Sequence, residues 1–120
     1  MELWEKIGRQ RVQYIVDSYQ LYGDEIADFN DYLTDLLQAY MSPQIELALV
    51  ETIAATWSEI PSIRGLPFIK KVHQLLKHWE DPSNFKPLIS PDQFFQIANL
   101  DPAPVFGNNY NSLPTPESKS

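Results

Sequence analysis

Apolar residues recur every three or four positions along most of this chain, and this spacing limits the fold more than any other feature of the sequence. The recurrence covers four stretches, which are residues 2–20, 24–40, 43–59 and 67–80. This period places the apolar side chains of each stretch along one side of a helix, and no segment alternates with the period of two that a half-buried strand requires. Glycine and proline separate the stretches, as at Gly23, where a left-handed residue suits a helix end. The sequence therefore predicts an all-α, four-helix bundle-like single domain.

The third stretch differs from the others because it is apolar around most of its circumference. Its large apolar residues are Ile45, Leu47, Leu49, Val50, Ile53 and Trp57, with alanines between them. A helix of this kind is predicted to lie at the centre of the bundle, where neighbouring helices cover most of its sides. We predict that Ser42 caps this helix and that Trp57 belongs to the core, as do Trp4 and Trp79.

A short fifth helix is predicted near the C-terminus. Ser90 and Gln93 have the spacing of a capping box, and Pro91 stands at the first helical position. Phe94 is expected to face inward, with Phe95 turned about 100° away from it.

The segment LDPAPVF, residues 100–106, follows this helix and combines apolar side chains with two prolines. Either it covers the open end of the bundle, with Val105 and Phe106 filling a gap, or Phe106 inserts into a groove on a partner. A DNA-binding helix-turn-helix is not expected, because a glycine arrives within about one turn and no basic residue lies nearby. We place the helical domain at residues 1–106 and predict that residues 107–120, which are polar and rich in turn formers, are a disordered tail.

Acidic residues dominate the second predicted helix in a chain whose net charge is −7. Asp24, Asp28, Asp31 and Asp35 fall at i, i+4, i+7 and i+11, so they form one strip opposite the apolar side. Such a strip either receives a basic partner or a divalent cation, or is an ordinary solvated face. A tight metal site is not expected, since carboxylate metal sites in bundles draw their ligands from facing helices.

The fourth predicted helix carries the opposite charge. Lys70 and Lys77 lie on one line of this helix, away from its apolar side. These lysines belong to an ordinary polar face, form internal ion pairs with the aspartate helix, or bind an acidic partner, an anionic surface or nucleic acid. An acidic chain is poorly suited to phosphate backbones, so nucleic acid is the weaker alternative.

Residue types needed for catalysis are sparse. The chain has no cysteine, no Gly-x-Ser-x-Gly motif and no phosphate-binding glycine loop. His73 and His78 differ by about 140° around a helix, so they do not share a small metal ion. We predict a protein that is not an enzyme and that has neither a metal nor a cofactor. Acid–base catalysis by two carboxylates is the enzymatic alternative that the sequence leaves open.

Several features suggest where the protein resides. The absence of cysteine is typical of reducing compartments. The segment MELWEKIGRQR lacks the apolar centre of a secretion signal, and the longest apolar run, LALV, is too short to span a membrane. We therefore expect a cytoplasmic protein.

The stretch WEDPSNFKPLISPDQFFQIANLDPAPVF resembles segments of short uncharacterised proteins of cyanobacteria. It covers about the last third of the predicted helical domain and contains no diagnostic motif. The resemblance implies no activity and no site residue; it suggests at most a cytosolic or thylakoid-adjacent setting in a photosynthetic bacterium.

These patterns together predict a helical protein that binds another protein, as an adaptor, an assembly factor or a small regulator. The residues predicted to contact the partner are Asp24, Asp28, Asp31, Asp35, Lys70, Lys77, Phe95, Val105 and Phe106. Nucleic-acid binding through the basic fourth helix is the alternative function.

Overall fold

The chain folds into six α-helices within the part that a computed structural model describes, which is residues 3–107 without the side chain of Trp4. The helices are α1 (Leu3–Tyr19), α2 (Ile26–Ala39), α3 (Ser42–Ala55), α4 (Leu66–His78), α5 (Pro91–Ala98) and α6 (Ala103–Phe106), and a 3-10 turn lies at Pro82–Asn84. Every regular element in this range is helical, which confirms the predicted all-α fold. The predicted disordered tail at 107–120 lies outside the described residues except for Gly107, and so does the predicted burial of Trp4.

Helix α3 lies at the centre of the fold, as its apolar circumference predicts. Helices α1, α2, α4, α5 and α6 all pack against it. Residues 45–53 of this helix are all buried, including two glutamates and a threonine. Burial on all sides removes a large apolar surface from water, and this is the main favourable contribution to folding.

Gly8 allows α1 to approach the start of α3 closely. A Cβ atom at this position would collide with the side chain of Ser42. Ser42 is the first residue of α3 and faces α1, while Met41 occupies the N-cap position without a side-chain hydrogen bond to the helix. The prediction that Ser42 caps α3 is therefore wrong, because the contact between the two helices draws this residue into the first turn.

Helix α3 ends at Ala55, one turn earlier than the sequence predicts. The hydroxyl groups of Thr52 and Thr56 donate to backbone carbonyls one turn back, at 2.7 and 2.8 Å. Such local side-chain bonds compete with regular helix continuation. Trp57 consequently lies beyond the helix and is 67% exposed, so its predicted place in the core is wrong, whereas Trp79 is buried as predicted.

Helix α5 begins with the predicted capping box. The Oγ atom of Ser90 accepts a hydrogen bond from the backbone N–H of Gln93 (3.1 Å), and Oε1 of Gln93 accepts one from the backbone N–H of Ser90 (2.8 Å). The box sets the register of the helix, in which Phe94 is buried and Phe95 is exposed.

Replacing Ser90 with alanine is expected to lower the free energy of unfolding by about 1 kcal/mol, because the N–H of Gln93 loses its acceptor. Urea denaturation followed by circular dichroism measures this change. Ser90→Asp retains an acceptor and is the matched control, expected to keep most of the stability. An alanine variant as stable as the parent would show that the box contributes nothing to α5.

Candidate functional site

The acidic face of α2, defined here as Asp24, Asp28, Asp31 and Asp35, is the first candidate surface. All four side chains are exposed. Three of them share one side of α2, but Asp24 lies in the turn before the helix, because α2 begins at Ile26. Of the four aspartates that the sequence places on one helix, three therefore lie on α2, and the fourth, Asp24, lies just before its start.

The later start of α2 has a tertiary cause. Glu25, the residue before the helix, accepts a hydrogen bond at Oε1 from the backbone N–H of Leu66 at the start of α4 (3.1 Å). Gly23 has the left-handed conformation that the sequence predicts, with a φ of 56°. The chain is therefore turned and tied to α4 before α2 begins, and Asp24 is held in that turn.

The carboxylates of the acidic face are not neutralised by the rest of the described chain. Across residues 3–107 the single salt bridge joins Arg11 and Glu46. Lys70 and Lys77 are exposed on α4, which packs beside α2, but neither forms an ion pair with the acidic face. Internal ion pairing between these two helices, one interpretation of the sequence, is therefore wrong.

Polar and aromatic contacts join α2 to α4 instead. The hydroxyl of Tyr32 shares a hydrogen bond with Nδ1 of His73 (2.7 Å), and the two rings meet edge to face. His78 is exposed and does not converge with His73. Within residues 3–107 no group of three or more histidine, aspartate or glutamate side chains is placed to hold a metal ion.

A buried ion pair at the centre of the fold has no counterpart among the sequence predictions. Glu46 on α3 is 1% exposed, and its carboxylate accepts hydrogen bonds from Nε and Nη2 of Arg11 on α1 at 2.8 to 3.1 Å. Burial raises the pKa of Glu46, and the hydrogen bonds and positive charge of Arg11 offset only part of this effect. The one available signal is a glutamate within a stretch that is apolar on most sides.

The C-terminal strap, residues 100–106, lies on the chain's own core. Val105 and Phe106 are partly buried there. The ring of Phe106 meets that of Phe94 edge to face, with centroids 5.8 Å apart. The strap therefore covers the core, as the first of the two interpretations of this segment predicts. Of the three apolar residues predicted to contact a partner, Phe95 is the one left mainly exposed, at 52%.

The buried ion pair also holds the strap. Nη2 of Arg11 donates a second hydrogen bond to the backbone carbonyl of Asp101 (2.7 Å). Oδ1 of Asp101 accepts a hydrogen bond from the backbone N–H of Ala103 (2.9 Å) at the start of α6. One guanidinium thus connects α1, the central helix and the strap.

A small cavity beside the exposed Trp57 is a second surface feature. Its volume is about 220 Å³, and its lining includes the buried side chains of Leu21, Ile53 and Phe68. Tyr19 and Trp57 also line it, and their rings meet edge to face with centroids 6.1 Å apart. This volume is below the ~300–1,000 Å³ of typical small-molecule sites, so the cavity suits at most a single side chain.

Among residues 3–107 no helix combines the length and the apolar character needed to cross a membrane. Comparison of the chain with models of protein families, with curated proteins and with solved structures finds no match in any of the three. The resemblance to cyanobacterial proteins stays a prediction.

Proposed function

We propose that this protein binds a basic segment of another protein through the acidic face of α2 and catalyses no reaction. In this role it is an adaptor, an assembly factor or a small regulator, and its place is the cytoplasm. The partner supplies lysine or arginine side chains to carboxylates that lack a basic partner in the described part of this chain.

One observation supports this proposal above the others, namely that the acidic face is exposed and unpaired within residues 3–107. Asp31 and Asp35 are four residues apart on α2, an arrangement that destabilises a helix by about 0.2–0.5 kcal/mol. A bound cation relieves this repulsion. Clustered charges of one sign also raise the rate at which an oppositely charged partner associates.

Nucleic-acid binding through α4 is disfavoured by the position of that helix. Lys70 and Lys77 are exposed, but α4 packs beside α2. A phosphate backbone laid along α4 would approach the carboxylates of the acidic face, which repel it. Protein binding therefore remains our proposal.

Reversing two charges of the acidic face, as Asp31→Lys with Asp35→Lys, tests the proposal. We expect the parent protein to enrich lysine- and arginine-rich sequences from a displayed library of random peptides. The double variant is expected to bind these peptides at least about tenfold more weakly, because attraction becomes repulsion. Fluorescence anisotropy of labelled peptides measures both affinities. The affinity of the parent is expected to fall as salt is added, since exposed charges are screened.

A matched control distinguishes the effect of the acidic face on peptide affinity from the effect of the protein's net charge. The double variant Asp17→Lys with Glu59→Lys makes the same change in net charge at exposed positions elsewhere on the fold, and we expect it to bind the peptides nearly as well as the parent. Asp28 is left unchanged because it lies in the first turn of α2, where its charge also stabilises the helix. A library that enriches no basic peptide, or an equal loss of affinity in both double variants, would contradict the proposal.

A further inference from the structure

An open cavity of about 620 Å³ lies where α2 and α4 end. Two distant parts of the chain line it, with Ala39, Tyr40 and Gln44 from one part and Trp79, Glu80, Pro82 and Phe85 from the other. Its volume falls within the ~300–1,000 Å³ that is typical of ligand sites. This cavity is distinct from the acidic face and from the smaller cavity beside Trp57.

Three aromatic side chains line this cavity. The rings of Trp79 and Phe85 are nearly perpendicular, with an interplanar angle of 80° and centroids 5.1 Å apart. Tyr40 contributes the third ring from the end of α2. Phe85 is 43% exposed and does not belong to the core. Aromatic rings attract a cation placed over their faces within about 6 Å of the ring centre.

A carboxylate accompanies these rings. The hydroxyl of Tyr40 donates a hydrogen bond to Oε2 of Glu80, whereas Oε1 accepts none from the residues between 3 and 107. This hydrogen bond, together with partial burial and the negative charge of Glu80, raises the pKa of Tyr40 to about 12. The hydrogen bond from Tyr40 orients the carboxylate.

Peptide dipoles add to the negative character of the cavity. Tyr40 and Trp79 are the C-cap residues of α2 and α4, so the negative ends of both helix dipoles lie here. The last turn of α2 contains no basic residue. Lys77 and His78 occupy the last turn of α4, but neither lines the cavity. Within the described chain, no positively charged side chain offsets the carboxylate and the dipoles inside this cavity.

We propose that this cavity binds the ammonium group of a lysine side chain in the partner's basic segment. The inference rests on the proposed function and specifies how the segment is anchored. Glu80 is the counter-ion of the ammonium group, and Tyr40, Trp79 and Phe85 contact its charge and its aliphatic stem. Along the α2 axis Asp35 precedes Tyr40 by about 7.5 Å, so a segment of a few residues reaches both places around the end of the helix.

Lysine suits this cavity better than arginine. Tyr40 already donates to one oxygen of Glu80, which leaves the other without an internal donor. A guanidinium group typically pairs with both oxygens of a carboxylate, whereas an ammonium group is a compact charge that needs only one.

Chemical-shift titration of isotopically labelled protein with Nα-acetyl-lysine methylamide tests this inference. We expect saturable shifts centred on residues 39–44 and 79–85. The matched ligand is the same compound acetylated at Nε, which keeps the stem and lacks the charge, and we expect it to leave these resonances in place. Tetramethylammonium is the third probe, because a free quaternary ammonium compound has the same charge and attraction to aromatic rings.

Single substitutions then locate the interaction. Glu80→Gln is expected to lower the affinity for the lysine compound about tenfold and Phe85→Ala about threefold, since one removes the counter-ion and the other an aromatic wall. Both positions are exposed, so the fold is expected to remain intact. Glu59→Gln removes an exposed carboxylate elsewhere and is expected to leave the affinity unchanged.

Several results would overturn the inference. Equal shifts with both lysine compounds, or unchanged affinity in Glu80→Gln, would show that the cavity does not select a cation. A further result would be that peptides bind the acidic face equally well with and without Glu80→Gln while tetramethylammonium binds in the cavity. This result would show that the cavity binds a free quaternary ammonium compound and not a lysine of the partner. In both cases the proposed function stands. If no basic peptide binds the parent, the proposed function fails, and lysine anchoring of a partner fails with it.

Discussion

Replacing Arg11 with methionine is expected to lower the free energy of unfolding by about 3 kcal/mol, because the carboxylate of Glu46 is left buried without its partner. Removing one partner of a buried ion pair typically costs about 3–5 kcal/mol. We expect a loss near the lower end of this range because Arg11 itself keeps some contact with water. Urea denaturation at neutral pH measures the loss. The strap also loses the donor to the carbonyl of Asp101, so amide hydrogen exchange in residues 100–106 is expected to accelerate.

The double variant Arg11→Met with Glu46→Met is the matched control. It removes both charges and fills the space with apolar atoms, and buried ion pairs replaced in this way typically retain or gain stability. We expect it to recover most of the stability lost in the single variant. A single variant as stable as the parent would contradict the view that this ion pair holds the centre of the fold.

Acid is expected to reduce the effect of Arg11→Met. Burial raises the pKa of Glu46 above its ordinary value of 4.5, and Arg11 opposes that rise, so removing Arg11 raises the pKa further. A carboxyl group whose pKa is higher in the folded state lowers stability as the pH rises from its unfolded pKa through its folded pKa. Below this window the group is protonated in both states. The difference between variant and parent should therefore shrink as the pH falls through the raised folded-state pKa values of Glu46, and be smallest below them, which denaturation at a series of pH values measures.

Replacing Phe94 with alanine is expected to lower the free energy of unfolding by roughly 3–5 kcal/mol. Phe94 is completely buried, and its ring packs against Phe106 of the strap. The substitution removes apolar contacts and leaves a cavity beneath the strap. Thermal and urea denaturation measure the loss.

The neighbouring phenylalanine provides a control with identical chemistry. Phe95 is 52% exposed on the same helix, and Phe95→Ala is expected to cost less than about 1 kcal/mol, because much of this ring is already in water. If the two alanine variants lose the same stability, the orientation of α5 and the covering role of the strap are both wrong. If Phe95→Ala weakens peptide binding while keeping the fold, the prediction that Phe95 contacts a partner gains support.

Local patterns in the sequence predict much of this fold correctly. Ser90 and Gln93 form the predicted capping box, and Gly23 adopts the predicted left-handed conformation. Both features depend on residues within three or four positions of each other, so a short window of sequence contains the whole interaction. The same holds for the burial of α3, which follows from its apolar circumference.

Other predictions fail where a helix begins or ends at a different residue from the one that periodicity suggests. Trp57 has the spacing of a core residue, but α3 ends before it and the side chain is exposed. Asp24 continues the spacing of the acidic strip, but Glu25 is tied to the start of α4 and the helix begins later. Periodicity assumes that a helix continues, and it contains no information on the contact that ends or delays the helix.

Of the two candidate sites, one is predictable from the sequence and the other is not. The exposed aspartates of α2 are predictable, because helical spacing alone places them opposite the buried side. The cavity lined by Tyr40 and Glu80 is not predictable, because these residues are 40 positions apart and meet only once α2 and α4 have packed. Neither residue stands in a motif that marks it in the sequence.

The sequence by itself determines that this chain is helical, that α3 is central and that α5 starts at a capping box, since periodicity and capping act between near neighbours. Only the tertiary structure decides that Glu46 is a buried anion held by Arg11, that the strap covers the core, and that three aromatic rings and Glu80 line one open cavity. The physical reason is that these features depend on contacts between residues far apart in the chain, whose positions are set by packing and not by local preference.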